Sequence, residues 1–581
     1  MDRQEHVSRL QDGQPFDLLV IGGGATGCGI ALDAATRGLR VALVERDDFA
    51  QGTSSKSTKL VHGGVRYLEK AILQGDREQF NLVREGLRER GRLLHNAPHL
   101  AHAIRLMTPV KTWFQAAYIY AGLVLYDLLA GRLALGRSRL VSRATAQKLF
   151  PQLNLDGYAA AVIYCDGQFN DARMAVTLAR TAAAHGACCA NHVEVVGLVK
   201  ENGRIRGAEV RDRLTGRAWT VAATGVVNAT GPFADAIRRL DDPRAPSMLK
   251  VSSGIHILLA ADTIPEDISL MIPSTEDGRV LFMIPWQGHV LFGTTDEPAE
   301  VAFDPAPEKK DVDYLLRYAS AYLRKPVTRA DVLAVWNGLR PLVFNPKKKN
   351  TQELARSHVL EKSPAGLLSM TGGKWTSYRA MAEDAVDAAC DAFGLGRGRT
   401  CATGRLRLLG SRAYYPEAWR DLAARAGVDP ALARSLYSLH GDEAGTVLEI
   451  GRQNEDLMRP IHPAHPYIGA QVVFAVRHEM ARHLGDVLLR RLPLGLVDMG
   501  HAREAAPAVA AIMGRELGWD ERHCATEVES VRRLLEAWYS GHGAPQPRRA
   551  NALAEAGLDK RPLSGPDGGR QTSEALEEGS S

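Results

Sequence analysis

At 581 residues the chain is too long for one ordinary hydrophobic core, so we expect two or three packed units. Hydrophobic residues make up 45% and charged residues 24% of the sequence, proportions typical of a chain that folds. The formal net charge of +5 is too small over this length to indicate a nucleic-acid partner, and we predict none.

The cysteines and the N-terminal residues bear on the compartment. The seven cysteines are scattered and form no C-x-x-C pair, which argues against a disulfide framework and a zinc site, and we predict no metal. Residues 1–15 are polar and of mixed charge, so we predict an N-terminal tail without an export signal. The longest apolar stretch, residues 116–130, contains Asp127 and is shorter than the roughly 20 residues that cross a bilayer. We therefore predict a cytoplasmic protein that does not span a membrane.

The first predicted elements form a βαβ unit. The hydrophobic pattern predicts a buried strand over residues 17–21, a helix over 26–37 and a second strand over 39–44. The intervening turn has the G-x-G-x-x-G pattern, whose glycines allow a tight turn, approach of a pyrophosphate and close packing of helix on strand. The phosphate is expected at the helix N-terminus. The predicted dinucleotide-binding residues here are Gly22, Gly24, Ala25, Thr26 and Gly27.

Two features bear on which dinucleotide is bound: the first disfavours NADP and the second suits FAD. Glu45 ends the second strand, where it can accept hydrogen bonds from an adenosine ribose and would repel the 2′-phosphate of NADP. A run of hydroxyl-bearing residues follows, suited to a flavin pyrophosphate and ribityl chain, although an ordinary polar loop has the same composition. The residues of this run that we assign to the cofactor are Thr53, Ser54, Ser55, Ser57, Lys59 and Leu60.

Later segments predict a second sheet and a helical region. Residues 280–285 and 289–294 flank Gln287-Gly288 as a hairpin, which indicates antiparallel sheet outside the βαβ unit. The pattern of residues 220–228 predicts a further strand. Composition changes after about residue 400, and the chain after residue 540 has the composition of a disordered tail. Helical periodicity recurs over residues 416–426, 430–439, 470–492 and 502–517.

A series of motifs carries a family resemblance. Thr53-Ser54-Ser55 is followed by His62-Gly63-Gly64-Val65-Arg66-Tyr67-Leu68-Glu69, and over residues 16–540 the motifs resemble those of FAD-dependent, quinone-linked glycerol-3-phosphate dehydrogenases. The basic run Lys347-Lys348-Lys349 departs from the family pattern. The further motifs are Ala97-Pro98-His99-Leu100, Asn228-Ala229-Thr230-Gly231-Pro232, Ile284-Pro285-Trp286, Gly293-Thr294-Thr295-Asp296, Gly338-Leu339-Arg340-Pro341-Leu342 and Gly372-Gly373-Lys374-Trp375-Thr376-Ser377-Tyr378-Arg379.

The resemblance implies an α/β plus α fold like that of glycine oxidase and D-amino-acid oxidase. It has a Rossmann-type FAD-binding domain, an antiparallel substrate-binding sheet and a helical C-terminal cap. We expect the oxidoreductase domain over residues 16–395, the helical domain over 400–540 and a tail over 541–581. Within the first, we assign about 16–110, 165–250 and 340–395 to the FAD part, and about 111–164 and 251–339 to the substrate part.

The resemblance also implies partners. Glycerol 3-phosphate would be oxidised to dihydroxyacetone phosphate, a membrane quinone would accept the electrons, and a homodimer is compatible with the family. The protein would lie on the inner face of the cytoplasmic membrane without crossing it. Residues 111–143 are the candidate contact with anionic lipid, because aromatic and leucine residues there are flanked by Lys111 and several arginines; a buried core helix is the alternative. An oxidase that uses oxygen and a non-catalytic flavin-binding sensor are the other functions considered.

Site residues follow from the aligned motifs. The resemblance implies that Arg66, Arg340 and Lys374 line the substrate pocket, with a surface cation as the alternative for each. A phosphate-bearing substrate needs fixed cations, and the guanidinium groups of the two arginines can bind phosphate oxygens bidentately and stay charged. His256 is the candidate base, with a merely packed histidine as the alternative, and Tyr67 would orient the substrate or pack on the flavin. The remaining cofactor residues implied are His62, Gly63, Gly64, Gly231, Gly372, Gly373, Lys374, Trp375 and Thr376.

Two groups of histidines have weaker signals. His95, His99 and His102 have near-helical spacing, but Pro98 interrupts the helix and no carboxylate or cysteine completes a metal site, so we read them as structural. His462 and His465 lie in a proline-rich segment that reads as a loop.

Overall fold

Two sheets organise the described part of this computed structural model, which comprises residues 1–65, 67–68, 75–344, 358–396 and 398–540. Arg66, the run Lys347-Lys348-Lys349 and the predicted tail over 541–581 lie outside the described residues. The strands are β1 Phe16–Ile21, β2 Val41–Val44, β3 Leu60–Val61, β4 Ala101–Val110, β5 Arg139–Ser142, β6 Ala160–Phe169, β7 Cys188–Ala190, β8 Val193–Glu201, β9 Arg204–Asp212, β10 Ala218–Asn228, β11 Leu249–Leu259, β12 Ser269–Ile272, β13 Leu281–Trp286, β14 His289–Gly293, β15 Glu297–Ala299, β16 Ala334–Val343, β17 His358–Lys362 and β18 Leu367–Gly372.

Helices cover the first sheet and form most of the C-terminal region. The described α-helices are Arg3–Gln11, Ala25–Thr36, Arg77–Asn96, Trp113–Ala130, Arg143–Leu149, Asp171–Ala184, Ala234–Asp241, Lys309–Tyr322, Tyr378–Phe393, Ala418–Ala426, Pro430–His440, Ala444–Gln453, Gly469–Glu479, Leu494–Val497, Met499–Leu517 and Glu521–Ser540.

The first sheet has the parallel core that the βαβ pattern predicts. Its strand order is β17-β18-β10-β1-β2-β7, and β1 pairs in parallel with both β2 and β10. Ile21 lies level with Val44 and with Asn228, so the carboxyl ends of three strands meet at one edge. Chain connections diverge from such a point in an open parallel sheet, which leaves a crevice for a ligand.

The second sheet is largely antiparallel. It runs β15-β11-β14-β13-β12-β4-β6-β3, with β16 paired to β11 and β5 to β6. The predicted hairpin is confirmed: β13 and β14 pair antiparallel across Gln287 and Gly288, and both turn residues have positive φ angles. Strand β4 lies within the segment 16–110 assigned to the FAD part but pairs in this sheet, so the boundary between the two parts falls earlier in the chain.

The N-terminal residues differ from the predicted tail. Residues Arg3–Gln11 form a helix whose N-terminus is capped by the side chain of Asp2. Val7 and Leu10 are buried, and Arg3 makes a buried ion pair with Asp212 at 2.7 Å. The expectation of a tail is therefore wrong here, because the burial of Val7 and Leu10 and an ion pair with a residue far along the chain anchor a segment whose own composition is polar.

One predicted C-terminal helix is also wrong. The periodicity of residues 470–492 predicts a single helix, but the α-helix Gly469–Glu479 ends where Met480 adopts a left-handed φ of 55°. The chain resumes as a π-helical segment, Asp486–Arg491, whose last two arginines both bind the buried carboxylate of Asp48 at 2.6 Å. These ion pairs with a residue more than 400 positions away fix the path of the chain, and local periodicity carries no sign of them.

The helix Trp113–Ala130 lies mostly on the surface. Only Ala116, Leu123, Tyr126 and Ala130 are buried, whereas Phe114 is 85% exposed. Residues Trp113–Leu133 are long and apolar enough to cross a membrane by length and composition, so the apolar segment is longer than the sequence-based estimate. The alternative of a buried core helix is therefore wrong.

Candidate dinucleotide and substrate site

Glycines shape the turn after β1. Gly22 has a φ of +106°, and a Cβ atom there would lie 2.8 Å from the carbonyl oxygen of Ala229. A Cβ atom at Gly27 would overlap the carbonyl oxygen of Gly22. Side chains are excluded at both positions, so the backbone of the turn and the helix Ala25–Thr36 can pack directly against β1 and β10.

The helix that follows presents an N-terminus suited to an anion. Gly24 is its N-cap and offers no side-chain cap to the first amides. The hydroxyl of Ser54 accepts a hydrogen bond from the amide of Ala25 at 2.9 Å, which brings the loop 52–58 to the helix end. Backbone amides and the positive end of the helix dipole favour a phosphate at this position.

Glu45 occupies the position expected of a ribose-binding carboxylate. Its two oxygens accept hydrogen bonds from the amides of Gly23, at 2.6 Å, and Asp47, at 2.9 Å. Burial raises the pKa of Glu45 to about 7, although both amide bonds favour the charged form and oppose this shift. The amides therefore fix a carboxylate at the edge of the turn, where ribose hydroxyls would donate to it.

A cavity of about 400 Å³ runs along this edge of the sheet. It extends from Glu45 past the glycine turn to Gly372 and Gly373, so a pyrophosphate and the groups on both of its sides fit one continuous space. Sequence reasoning missed the cavity-lining Phe233, since no motif marks it. The cofactor residues predicted from the sequence that line the cavity are Gly22, Gly24, Ala25, Thr26, Glu45, Thr53, Ser54, Gly231, Gly372, Gly373, Lys374 and Trp375.

Other predicted cofactor residues do not line this cavity. Ser57 and Lys59 both bind Asp171, with Lys59 Nζ at 2.6 Å from a carboxylate oxygen. The side chain of Lys59 is fully buried, and its ammonium group also donates to the carbonyl of Ser55. Leu60 begins β3 and pairs with Gln168. Asp171 thus anchors the hydroxyl-rich loop, a role that only the three-dimensional contact reveals.

His62 and Tyr67 contact the segment 374–376, which lies about 300 residues later in the chain. The hydroxyl of Thr376 accepts a hydrogen bond from the amide of His62 at 3.2 Å, and Trp375 Nε1 donates to the carbonyl of Ser54 at 2.9 Å. Lys374 Nζ lies 4.1 Å from the ring centroid of Tyr67. The amine of Lys374, which lines the cavity, therefore lies against the aromatic ring of Tyr67.

The buried Tyr126 also contacts this part of the chain, at Gly63. The amide of Gly63 donates to the hydroxyl of Tyr126 at 2.7 Å, and that hydroxyl donates to Asp166. A Cβ atom at Gly64 would lie 3.6 Å from Lys374 Nζ. Tyr126 and Asp166 are further residues that the sequence analysis did not identify, because they lie on elements with ordinary helix and strand patterns.

His256 sits on β11 in the second sheet. Its Nε2 lies 2.9 Å from the hydroxyl of Thr58, and its ring stacks on Trp336 with centroids 4.3 Å apart. Burial lowers the pKa of His256 well below its usual range, and the nearby Arg340 and Lys59 act in the same direction. The imidazole is therefore neutral near pH 7 and has the protonation state of a base.

Arg340 lies on the neighbouring strand, β16. Its guanidinium donates to the carbonyl of Thr295 and to the hydroxyl of Thr294, both at 2.9 Å. It lies over Gly254, where a Cβ atom would overlap it. Since Gly254 and His256 are two residues apart on one strand, Arg340 and His256 share a face of the sheet. Arg340 and His256 do not line the 400 Å³ cavity, whereas Lys374 does.

The first histidine group stays separate from this site. Burial lowers the pKa of His99 to about 3 and also lowers that of His102. Within the described residues, His95, His99 and His102 do not bring three ligand atoms together.

The parallel sheet, the glycine turn and the carboxylate after β2 define a dinucleotide-binding oxidoreductase. The family described as FAD dependent oxidoreductase matches residues 17–388, and the C-terminal domain of alpha-glycerophosphate oxidase matches residues 401–524. The human protein "Glycerol-3-phosphate dehydrogenase, mitochondrial" is 43% identical over 545 residues, covering 92% of this chain and 75% of that protein. The chain belongs to the family of FAD-dependent glycerol-3-phosphate dehydrogenases, and its cofactor is FAD.

Solved structures agree with this assignment. The structure of the glycerol-3-phosphate dehydrogenase from Bacillus halodurans complexed with FAD is 28% identical, with a TM-score of 0.76 over 94% of this chain and 99% of that one. L-alpha-Glycerophosphate Oxidase from Mycoplasma pneumoniae with FAD bound is 16% identical, with a TM-score of 0.50 over 68% of this chain and 99% of that one, and shares the fold. The predicted fold class is confirmed.

Proposed function

We propose that the chain oxidises sn-glycerol 3-phosphate to dihydroxyacetone phosphate and passes the electrons to a membrane quinone. The observation that carries this proposal is the pairing, on one sheet face, of a neutral His256 with the fixed guanidinium of Arg340. A base and a permanent cation side by side suit a substrate that carries both a hydroxyl to deprotonate and a phosphate. The names of the relatives supply the particular substrate.

Each residue then has a distinct task. Arg340, held by Thr294 and Thr295, binds the phosphate, and Lys374 adds a second cation beside Tyr67. His256 accepts the hydroxyl proton, while Thr58 fixes the orientation of its ring. FAD, when bound, supplies at N5 the acceptor for the hydride that leaves the substrate carbon. Arg66 is proposed as a further phosphate ligand on the basis of the family resemblance alone.

The electron acceptor can be tested by turnover with glycerol 3-phosphate in air and with a soluble quinone analogue. We expect quinone reduction in proportion to dihydroxyacetone phosphate formed, with little peroxide. An oxidase is the second candidate, because the C-terminal region matches the corresponding domain of alpha-glycerophosphate oxidase. Peroxide formed in equal amount to product, with no quinone reduction, would establish the oxidase instead.

The proposed membrane contact is the helix Trp113–Ala130 with the basic residues around it. Its outer surface exposes Trp113, Phe114 and Leu128, while Arg137 and Arg139 lie exposed beyond its C-terminal end. An apolar helix surface flanked by cations fits the interface of an anionic bilayer, here the cytoplasmic face of the cytoplasmic membrane. A short path from flavin to a lipid-dissolved quinone requires such a surface.

Charge reversal tests this contact. The double variant Arg137→Glu and Arg139→Glu should bind anionic liposomes more weakly and reduce membrane quinone more slowly, with normal flavin content and dye-coupled activity. The matched control is the double variant Arg204→Glu and Arg206→Glu. It also replaces two exposed arginines that stand two positions apart, here on β9. Equal loss of liposome binding in both double variants would indicate a general charge effect and would remove this helix as the contact.

A further inference from the structure

Three histidines from two separate segments meet in the C-terminal region. His462 and His465 lie in the proline-rich loop before the helix Gly469–Glu479, and His501 lies in the first turn of the helix Met499–Leu517. Their side chains each bring one ligand atom to within 4.8 Å of the others. His462 and His465 are buried, so the cluster is shielded from bulk solvent.

The distances within this histidine cluster approach those of a metal site. His501 Nδ1 lies 3.0 Å from His465 Nε2 and 2.9 Å from an oxygen of Asp498. Ligand atoms that bind zinc tetrahedrally at 2.0–2.1 Å stand about 3.3 Å apart. A small expansion of the cluster would therefore place an ion among His465, His501 and Asp498. Glu504, 3.1 Å from His462 Nε2, adds a second carboxylate at the edge.

A second group of similar composition shows what distinguishes this cluster. Asp48, His192 and Asp486 also converge, but arginines occupy their carboxylates: Arg491 binds Asp48 at 2.6 Å and Arg490 binds Asp486 at 2.7 Å. In the part of the chain that the structure describes, no lysine or arginine pairs with Asp498 or Glu504. The histidine cluster thus combines three imidazole side chains with two carboxylates that, among the described residues, no lysine or arginine neutralises, which suits a divalent ion.

We propose that the histidine cluster binds one divalent transition-metal ion of the zinc class. His462, His465 and His501 supply imidazole nitrogens, and Asp498 supplies the fourth ligand. Imidazole is the ligand that zinc, copper and nickel prefer, whereas calcium and magnesium require mainly oxygen ligands. The sequence does not reveal such a site, because the site contains no cysteine ligand and because His465 and His501 are 36 residues apart in the chain.

The position of the cluster suggests a structural role for the ion. The ring of His465 stacks on His289 of β14, with centroids 5.7 Å apart, and the hydroxyl of Tyr467 donates to Gln287 in the β13–β14 turn. An ion in the cluster would therefore hold the loop to the helix Met499–Leu517 next to the hairpin of the substrate sheet. Metal bound only by the folded state stabilises that state.

Metal titration tests the proposal on the full chain with bound FAD and without a histidine tag. After treatment with EDTA and dialysis, ZnCl₂ is added in competition with a chromogenic zinc chelator. We expect one zinc ion per chain, a higher Tm with zinc than with EDTA, and zinc affinity at least about tenfold lower in His465→Gln and in His501→Gln. The control His185→Gln removes an exposed histidine at the end of the helix Asp171–Ala184 and should leave zinc affinity unchanged.

The wild-type titration decides the matter even if a variant fails to fold. Binding of clearly less than one zinc ion per chain by the wild type would overturn the proposal. It would also be overturned if His465→Gln and His501→Gln bound zinc as tightly as the His185→Gln control. Each of these results would leave the cluster as a hydrogen-bonded packing feature.

Discussion

The dinucleotide cavity and the substrate sheet face are built in different ways. The edge of the cavity at the end of β1 is formed by backbone, with two glycines, Gly22 and Gly27, at which a Cβ atom would collide with backbone, and one carboxylate held by two amides. The sheet face is formed by side chains from β11 and β16, whose positions depend on Thr58, Thr294 and Thr295 from other segments. At Gly22 and Gly27 the turn therefore tolerates no added side-chain atom, whereas the sheet face should tolerate substitutions that remove a single chemical function.

The largest effect is expected in the glycine turn. Gly27→Ala places a Cβ atom on the carbonyl oxygen of Gly22, which forces the helix Ala25–Thr36 away from β1. We expect protein that is unstable or lacks FAD, measured by flavin absorbance and thermal unfolding. Gly445→Ala, in the helix Ala444–Gln453 of the C-terminal region, is the matched control, because its Cβ atom would meet nothing within 4 Å and Gly445 does not line the cavity. Equal flavin content in both variants would contradict the packing account.

On the sheet face, the next effect is expected from removing the base. His256→Gln keeps a polar side chain next to Thr58 but cannot accept the substrate proton, so kcat should fall by roughly 10²- to 10⁴-fold. Flavin content should stay normal, since His256 does not line the cavity. Steady-state kinetics and the flavin spectrum of the same preparation check this. A variant that retained wild-type kcat would identify His256 as a packing residue.

These two variants also show how much the sequence could reveal. The turn is predictable because Gly22, Gly24 and Gly27 are local in sequence, and their spacing follows from the geometry of one strand and one helix. His256 could be assigned only by family resemblance, since its contacts with Thr58 and Trp336 join positions far apart in the chain. Asp171 could not be identified either, because its contacts with Ser57 and Lys59 also join distant positions. Composition alone assigns that loop wholly to the cofactor.

Loss of the phosphate-binding cation should have a smaller effect. Arg340→Ala removes a charge-assisted partner worth about 1.5–3 kcal/mol, which corresponds to about a 10- to 150-fold lower kcat/KM for glycerol 3-phosphate. Arg317→Ala, an exposed arginine on the helix Lys309–Tyr322, is the control. If both variants kept the wild-type kcat/KM while binding FAD normally, Arg340 would not contact the phosphate.

The smallest expected effect is a pH dependence that should differ between the dinucleotide cavity and the substrate sheet face. Glu45, with a pKa of about 7, accepts hydrogen bonds from the ribose more strongly as a carboxylate than as a neutral carboxyl group, so FAD affinity should fall as pH drops below 7, by at most about tenfold per pH unit. His256 has a lowered pKa and stays neutral over the same range, so turnover of FAD-loaded protein should not lose its base. Fluorescence titration with FAD at pH 6 and 8 measures the first effect, and Glu45→Gln should abolish it. Equal pH dependence in the wild type and Glu45→Gln would contradict this role.

The central claim is that a bound flavin and an intact sheet face together oxidise glycerol 3-phosphate. Anaerobic addition of glycerol 3-phosphate to FAD-loaded protein tests it most directly, because bleaching of the oxidised-flavin band reports reduction without any electron acceptor. The wild type should bleach, and FAD-loaded His256→Gln should bleach far more slowly under the same conditions. A wild-type protein that holds FAD but shows no bleaching would contradict the account and would favour a non-catalytic flavin-binding sensor.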